Sequence, residues 1–110
     1  SGYDGPFEAS WLEPMPDKEI LLRMLNNLRA TYLMRRAWPE ALATIQHIQL
    51  VEPKTAVHLR DIGLIHLRMG NMRLAVQTIQ SYLEKSPDAQ DGQTLRQMLR
   101  PYVETWMSSN

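Results

Sequence analysis

Apolar residues recur along this chain at helical spacing, and from Leu25 onward the pattern occurs twice. The segment 59–87 reads LRDIGLIHLRMGNMRLAVQTIQSYLEKSP. Its first half is an apolar-striped helix that stops at Gly70. Its second half carries Leu74, Ala75, Ile79, Tyr82 and Leu83 and stops at Pro87. Moving back 34 residues gives the same plan over 25–53. Leu25 aligns with Leu59, Leu28 with Ile62, Leu33 with Leu67, Ala41 with Ala75 and Pro53 with Pro87. The tripeptide Thr44-Ile45-Gln46 aligns with Thr78-Ile79-Gln80. A fixed period with one helix–turn–helix per copy implies stacked repeats, each burying its apolar face on a neighbour.

In chain order the pattern predicts five helices behind a non-helical arm. Residues 1–16 hold Gly2, Gly5, Pro6, Pro14 and Pro16, which deny a helix its donors. Phe7, Trp11, Leu12 and Met15 give the arm large apolar side chains to dock. The first helix opens at Pro16-Asp17, with Asp17 and Glu19 at the positive end of its dipole. It carries Ile20, Leu21, Met24, Leu25, Leu28, Tyr32 and Leu33, a wide stripe. Pro39 opens the second helix. The third runs from about Thr55 to Met69 with Gly70 as its stop, and Asn71 is placed to cap the fourth. The fifth starts near Asp91 with a stripe of Leu95, Met98, Leu99, Tyr102, Val103 and Trp106. Pro101 lies inside it and predicts one bent helix. The expected division is an arm over 1–16 and a helical domain over 17–107, with repeats at 22–55 and 56–89 and a capping helix at 91–107.

Composition narrows the function classes. A chain of 110 residues is one domain, and 44% apolar content is that of a globular one. Net charge is zero, so no bulk field draws the chain to nucleic acid or membrane. There is no cysteine, which excludes disulfides, thiolate metal sites and thiol nucleophiles and suits a reducing, cytoplasmic setting. No apolar run approaches the roughly 18 residues of a membrane span. The start has neither an initiator Met nor a signal-peptide core, so the expectation is a piece of a longer protein. Charge is unevenly placed. Residues 1–19 set Asp4, Glu8, Glu13, Asp17 and Glu19 against Lys18, a net −4. Residues 20–73 set Arg23, Arg29, Arg35, Arg36, Lys54, Arg60, Arg68 and Arg73 against Glu40, Glu52 and Asp61, a net +5.

The repeat resembles the tetratricopeptide family. In the second copy Gly63, Ala75 and Pro87 fall on that family's small, small and stop positions, with Leu59 and Ile62 in its apolar slots. His66 stands where an aromatic is usual and Tyr82 where a small residue is usual. In the first copy Tyr32, Ala41 and Pro53 match, while Arg29 replaces a small residue and loosens helix contact there. The resemblance implies an all-α, right-handed stack of two helix pairs plus a capping helix. A narrower resemblance rests on the run Glu19-Ile20-Leu21-Leu22-Arg23-Met24-Leu25-Asn26-Asn27-Leu28. Followed by two repeats and a cap, it is similar to the C-terminal tail of bacterial proteins that place a transglutaminase-like domain ahead of such repeats, some named as invasion-gene regulators. That domain is absent here, and none of its chemistry transfers.

The resemblance also implies where a partner sits. The first helix of each pair lines a concave groove, so the expected partner-binding residues are Arg23, Asn26, Ala30, Leu33, Met34, Val57, Arg60, Leu64, Leu67 and Arg68. Arginines around an apolar floor suit an acidic, partly apolar peptide. The leading expectation is a non-enzymatic protein–protein interaction module. Its partner is a protein or peptide segment, one candidate being its own acidic arm through Phe7, Trp11, Leu12 and Glu13, within the chain or in a homodimer. The alternative is a structural buttress for an upstream transglutaminase-like domain. A terminal-carboxylate clamp is disfavoured, because Asp61 stands where such clamps carry asparagine. Other chemistry finds little support. His58 and Asp61 at i, i+3, with His66, do not converge as metal ligands. The serines lack a local base and acid. Arg29, Arg35 and Arg36 lack interleaved stacking aromatics for nucleic acid. Trp11, Trp38 and Trp106 fit junction anchors better than a ligand box. No cofactor and no membrane contact are expected.

Overall fold

The computed structural model describes residues 17–109; the expected arm over 1–16 lies outside them. Five α-helices follow one another: α1 Lys18–Met34, α2 Trp38–Val51, α3 Val57–Arg68, α4 Met72–Lys85 and α5 Gly92–Ser109. Each packs on its neighbours in sequence, giving an all-α stack.

The 34-residue period is a property of the backbone as well as of the side chains. α1 ends at Met34 and α3 at Arg68. α2 spans Trp38–Val51 and α4 spans Met72–Lys85. The residue before α2, Ala37, has φ −83 and ψ 76, and its counterpart Asn71 has φ −89 and ψ 74. Glu52 and Ser86, which follow α2 and α4, match at ψ 65 and 66.

Both inner turns use one device. After α3, the Gly70 N–H donates to the Leu67 carbonyl and the Asn71 N–H to the His66 carbonyl, which satisfies two orphan acceptors. After α1, Arg36 donates to Leu33 and Ala37 to Tyr32. The motif needs a left-handed residue at its third position. Gly70 supplies it at φ 81, whereas Arg36 adopts φ 56 with a full side chain. Asn71 stands at the expected cap of α4, but its side chain makes no capping bond. Its amide lies 3.5 Å from His66 Nδ1. At the other end of the chain Asp17 does cap α1, accepting the Glu19 N–H at 2.8 Å.

The core runs from α2 to α5. Ile45, Ile48 and Ile79 are fully buried, each contributing roughly 1.5–3 kcal/mol. Ala41, Ile45, Ile62 and Ile65 join α2 to α3, while Val76, Ile79, Tyr82, Leu83, Leu95 and Leu99 join α4 to α5. α3 and α4 approach closely because Gly63 has no Cβ: one placed there would overlap Ile79 Cγ1 and meet the Ala75 carbonyl at 3.3 Å. α1, by contrast, buries no residue fully. α5 is one helix through Pro101 rather than two short ones. Its stripe is only partly covered: Leu95 and Leu99 are buried, but Met98 and Tyr102 face solvent.

Two substitutions test this reading in urea unfolding. Gly63→Ala lowers stability by about 1–3 kcal/mol through overpacking at Ile79. Arg36→Gly raises it by about 1 kcal/mol, because glycine removes the left-handed penalty; no gain would mean that Arg36 is not strained.

Candidate functional site: the concavity between α1 and α3

α1 and α3 flank a concavity of about 440 Å³, lined by Arg29 and Leu33 of α1, Trp38 and Ile45 of α2, and Arg60, Asp61, Leu64, Ile65 and Arg68 of α3. The spacing explains the set. Arg29 and Leu33 lie one turn apart, as do Arg60, Leu64 and Arg68 along α3, so each helix offers one face. Trp38 enters because it opens α2 directly after the α1 reversal.

Of the residues expected to bind a partner, Leu33, Arg60, Leu64 and Arg68 line this concavity. Arg23, Asn26, Ala30, Met34, Val57 and Leu67 do not. Asn26 turns its amide back to the Leu22 carbonyl at 2.9 Å. Met34 projects from the end of α1 at 85% exposure. Leu67 packs against the α4–α5 core, as Leu64 does, without reaching the concavity. Sequence reasoning missed Arg29, Trp38 and Asp61 as a lining group. The i, i+4 step from Arg29 to Leu33 was the available signal.

The charges are already partly spent. Arg60 donates to Asp61 Oδ1 from Nε at 3.0 Å and from a terminal nitrogen at 2.9 Å, and its other terminal nitrogen reaches Asp91 Oδ2 at 3.0 Å. Arg29, expected to loosen the helix contact, reaches Asp61 at 3.6 Å. Tyr82 donates its hydroxyl to Asp91 Oδ1 at 2.8 Å. Asp91 therefore ties α4, α3 and the start of α5 together. Arg68 differs. Its guanidinium lies over Trp38, 5.8 Å from the ring centroid. Among the described residues it has no carboxylate partner.

The environment shifts several protonation equilibria. Burial works against the Asp91 charge, but the Tyr82 hydroxyl and the Arg60 guanidinium outweigh it and hold the carboxyl below its usual range. Burial, reinforced by Asp91, raises the Tyr82 phenol. Burial disfavours the Arg60 charge, and Asp61 and Asp91 more than restore it. Burial lowers the His66 imidazole.

His58 and Asp61, one helical turn apart, take separate partners, since His58 Nε2 bonds Glu52 Oε1 at 3.0 Å. Among the described residues no three His, Asp or Glu side chains are gathered to hold a metal ion, and no helix is long and apolar enough to cross a membrane.

With two helix pairs in register and a face lined by their first helices, the comparison with known proteins decides the family. Residues 28–100 match the tetratricopeptide repeat family. The chain is a tetratricopeptide repeat protein. Such repeats generally mediate protein–protein contact and are typically non-catalytic scaffolds. A UPF0162 protein of Xylella fastidiosa (strain Temecula1 / ATCC 700964) is 31% identical over 88 residues, covering 80% of this chain and 31% of the relative. The UPF0162 protein of Xylella fastidiosa strain 9a5c gives the same figures. The tetratricopeptide chain thus spans about a third of the length of the curated relatives it matches. No solved structure matches it.

Acid should loosen this protein in two stages. His66 and Asp91 both titrate below their unfolded values, so each contributes stability that is present above its unfolded pKa and lost as pH falls. Urea unfolding across pH should show a decline beginning below 6.5, the ordinary imidazole value, and continuing through the carboxylate range. His66→Phe flattens the upper part of that decline. Asp91→Asn flattens the lower part and costs about 1–2 kcal/mol at neutral pH.

Proposed function

We propose that this module holds a segment of a partner protein in the α1–α3 concavity. The observation that carries the reading is the placement of Arg68, a cation with no carboxylate partner among the described residues, beside the apolar surface of Leu33, Leu64 and Trp38. Because Arg60 and Arg29 are engaged by Asp61 and Asp91, the site favours a segment with one acidic residue next to a bulky apolar one over a strongly acidic peptide.

A second reading has a specific basis. About two thirds of each relative lies beyond the match. The concavity would then be filled by another domain of a longer protein, for which the run Glu19–Leu28 suggests a transglutaminase-like one, and the helical stack would serve as its buttress. Hydrogen exchange separates the two. The buttress reading predicts that the amides matching Leu64 and Arg68 are protected more strongly in a full-length relative than in this chain alone.

The leading reading is tested by panning a displayed peptide library on the full chain and measuring the selected peptides by calorimetry. Peptides pairing an apolar residue with a single acid should emerge. Arg68→Glu and Leu64→Asp should each weaken them about tenfold or more, roughly 1.4 kcal/mol, and Arg23→Glu should leave them unchanged. Selected peptides indifferent to Leu64 and Arg68 would overturn it.

A further inference from the structure

α1 carries an uncovered apolar face. Ile20, Met24 and Leu28 follow at i, i+4 and i+8 and are 47%, 56% and 45% exposed. The 34-residue period says what this face is built for. Met24 corresponds to His58 and Leu28 to Ile62, and both counterparts are buried. Ile62 packs with Ala41 and Ile45 of the preceding α2. Among the described residues no element stands before α1 as α2 stands before α3. The end of a repeat stack needs a cover over such a face.

We propose that residues 1–16 of the same chain are that cover, laying Trp11, Leu12 and Phe7 along Ile20, Met24 and Leu28 as an N-terminal cap. Three observations select this occupant. The segment joins the structure at Asp17, one residue before α1, so its local concentration at this face is high. Its reach suffices. At about 3.3 Å per extended residue against 1.5 Å per helical one, each arm residue passes roughly two residues of α1. Sixteen residues are therefore more than enough to run from Asp17 past Leu28.

The charges also agree. Residues 1–16 contain Asp4, Glu8 and Glu13 and no basic residue. α1 exposes Arg23 beside Met24, and Arg35 follows its end; among the described residues neither has an ion pair. A second copy suits the face less well. A two-fold contact centred on Met24 sets each Arg23 near its mate, like charge against like.

The chain lacks cysteine, so Ser10→Cys gives a single site for a nitroxide label next to Trp11. Amide spectra of the labelled full chain should lose most intensity at Ile20, Met24 and Leu28. Met24→Glu, at a position already exposed, should restore it. A mixture of unlabelled isotopic chain with spin-labelled chain should show no such loss. Loss centred on Leu64 and Arg68 would place the arm in the concavity and overturn the proposal. Loss between chains would overturn it in favour of a second copy, and loss without preference for α1 would mean that the arm is no cap.

Discussion

The structure depends on the close approach of α3 to α4 at Gly63. With no Cβ there, Ile79 seats against the α3 backbone, and Ala75 adds no bulk at the crossing. That contact fixes the rotation of α3. Once Gly63 faces α4, the helical period turns Ile62 and Ile65 toward α2 and leaves Arg60, Leu64 and Arg68 for the concavity. The α3 wall of the concavity is thus set by the packing of α3 on α2 and α4. Its position is as firm as the core, although its side chains are only partly covered.

The electrostatics of that face follow from what lies behind it. Asp91 receives Tyr82 and Arg60, Arg60 also holds Asp61, and Asp61 faces Arg29. A line of alternating charge therefore runs from the start of α5 to α1. Counted from sequence, the face looks basic; in place, most of that charge is balanced within the chain. Under the proposed function, selectivity would rest on shape, on the apolar surface of Leu33, Leu64 and Trp38, and on Arg68. These partly exposed pairs hold geometry more than they add stability.

The sequence made the repeat legible because period and punctuation agree. Apolar positions, Gly70, Pro53 and Pro87 all recur or stop where the helices do. What stayed hidden was set by tertiary geometry. Arg60 looked like a cation open to a ligand because one of its carboxylates, Asp91, lies 31 residues away. Leu67 shares the helical stripe of Leu64 and packs against the same core, yet only Leu64 also lines the concavity. Arg36 gave no sign of a left-handed turn, since the motif that demands one reads only the carbonyls before it. Asn71 had the right identity for a cap, but its amide turned toward His66, where the family's usual aromatic would offer no such partner.

The apolar packing repeats while the polar ties do not. At the joint between the two helix pairs, Glu52 at the end of α2 accepts from His58 of α3. One period later those positions are Ser86 and Gly92, which cannot make that bond. At the joint to α5 the tie is instead Asp91 with Tyr82 and Arg60. One period earlier those positions are Val57, Ile48 and Asn26. Each joint therefore has a lock that fits only its own neighbours. Uniform apolar faces would let equivalent helices exchange places, since their burial energies are similar. A misplaced pairing would separate Asp91 from Arg60, or leave the buried His58 without Glu52 and its donor unsatisfied. Repeated packing supplies the stability of this small stack, and the unrepeated polar contacts fix its order.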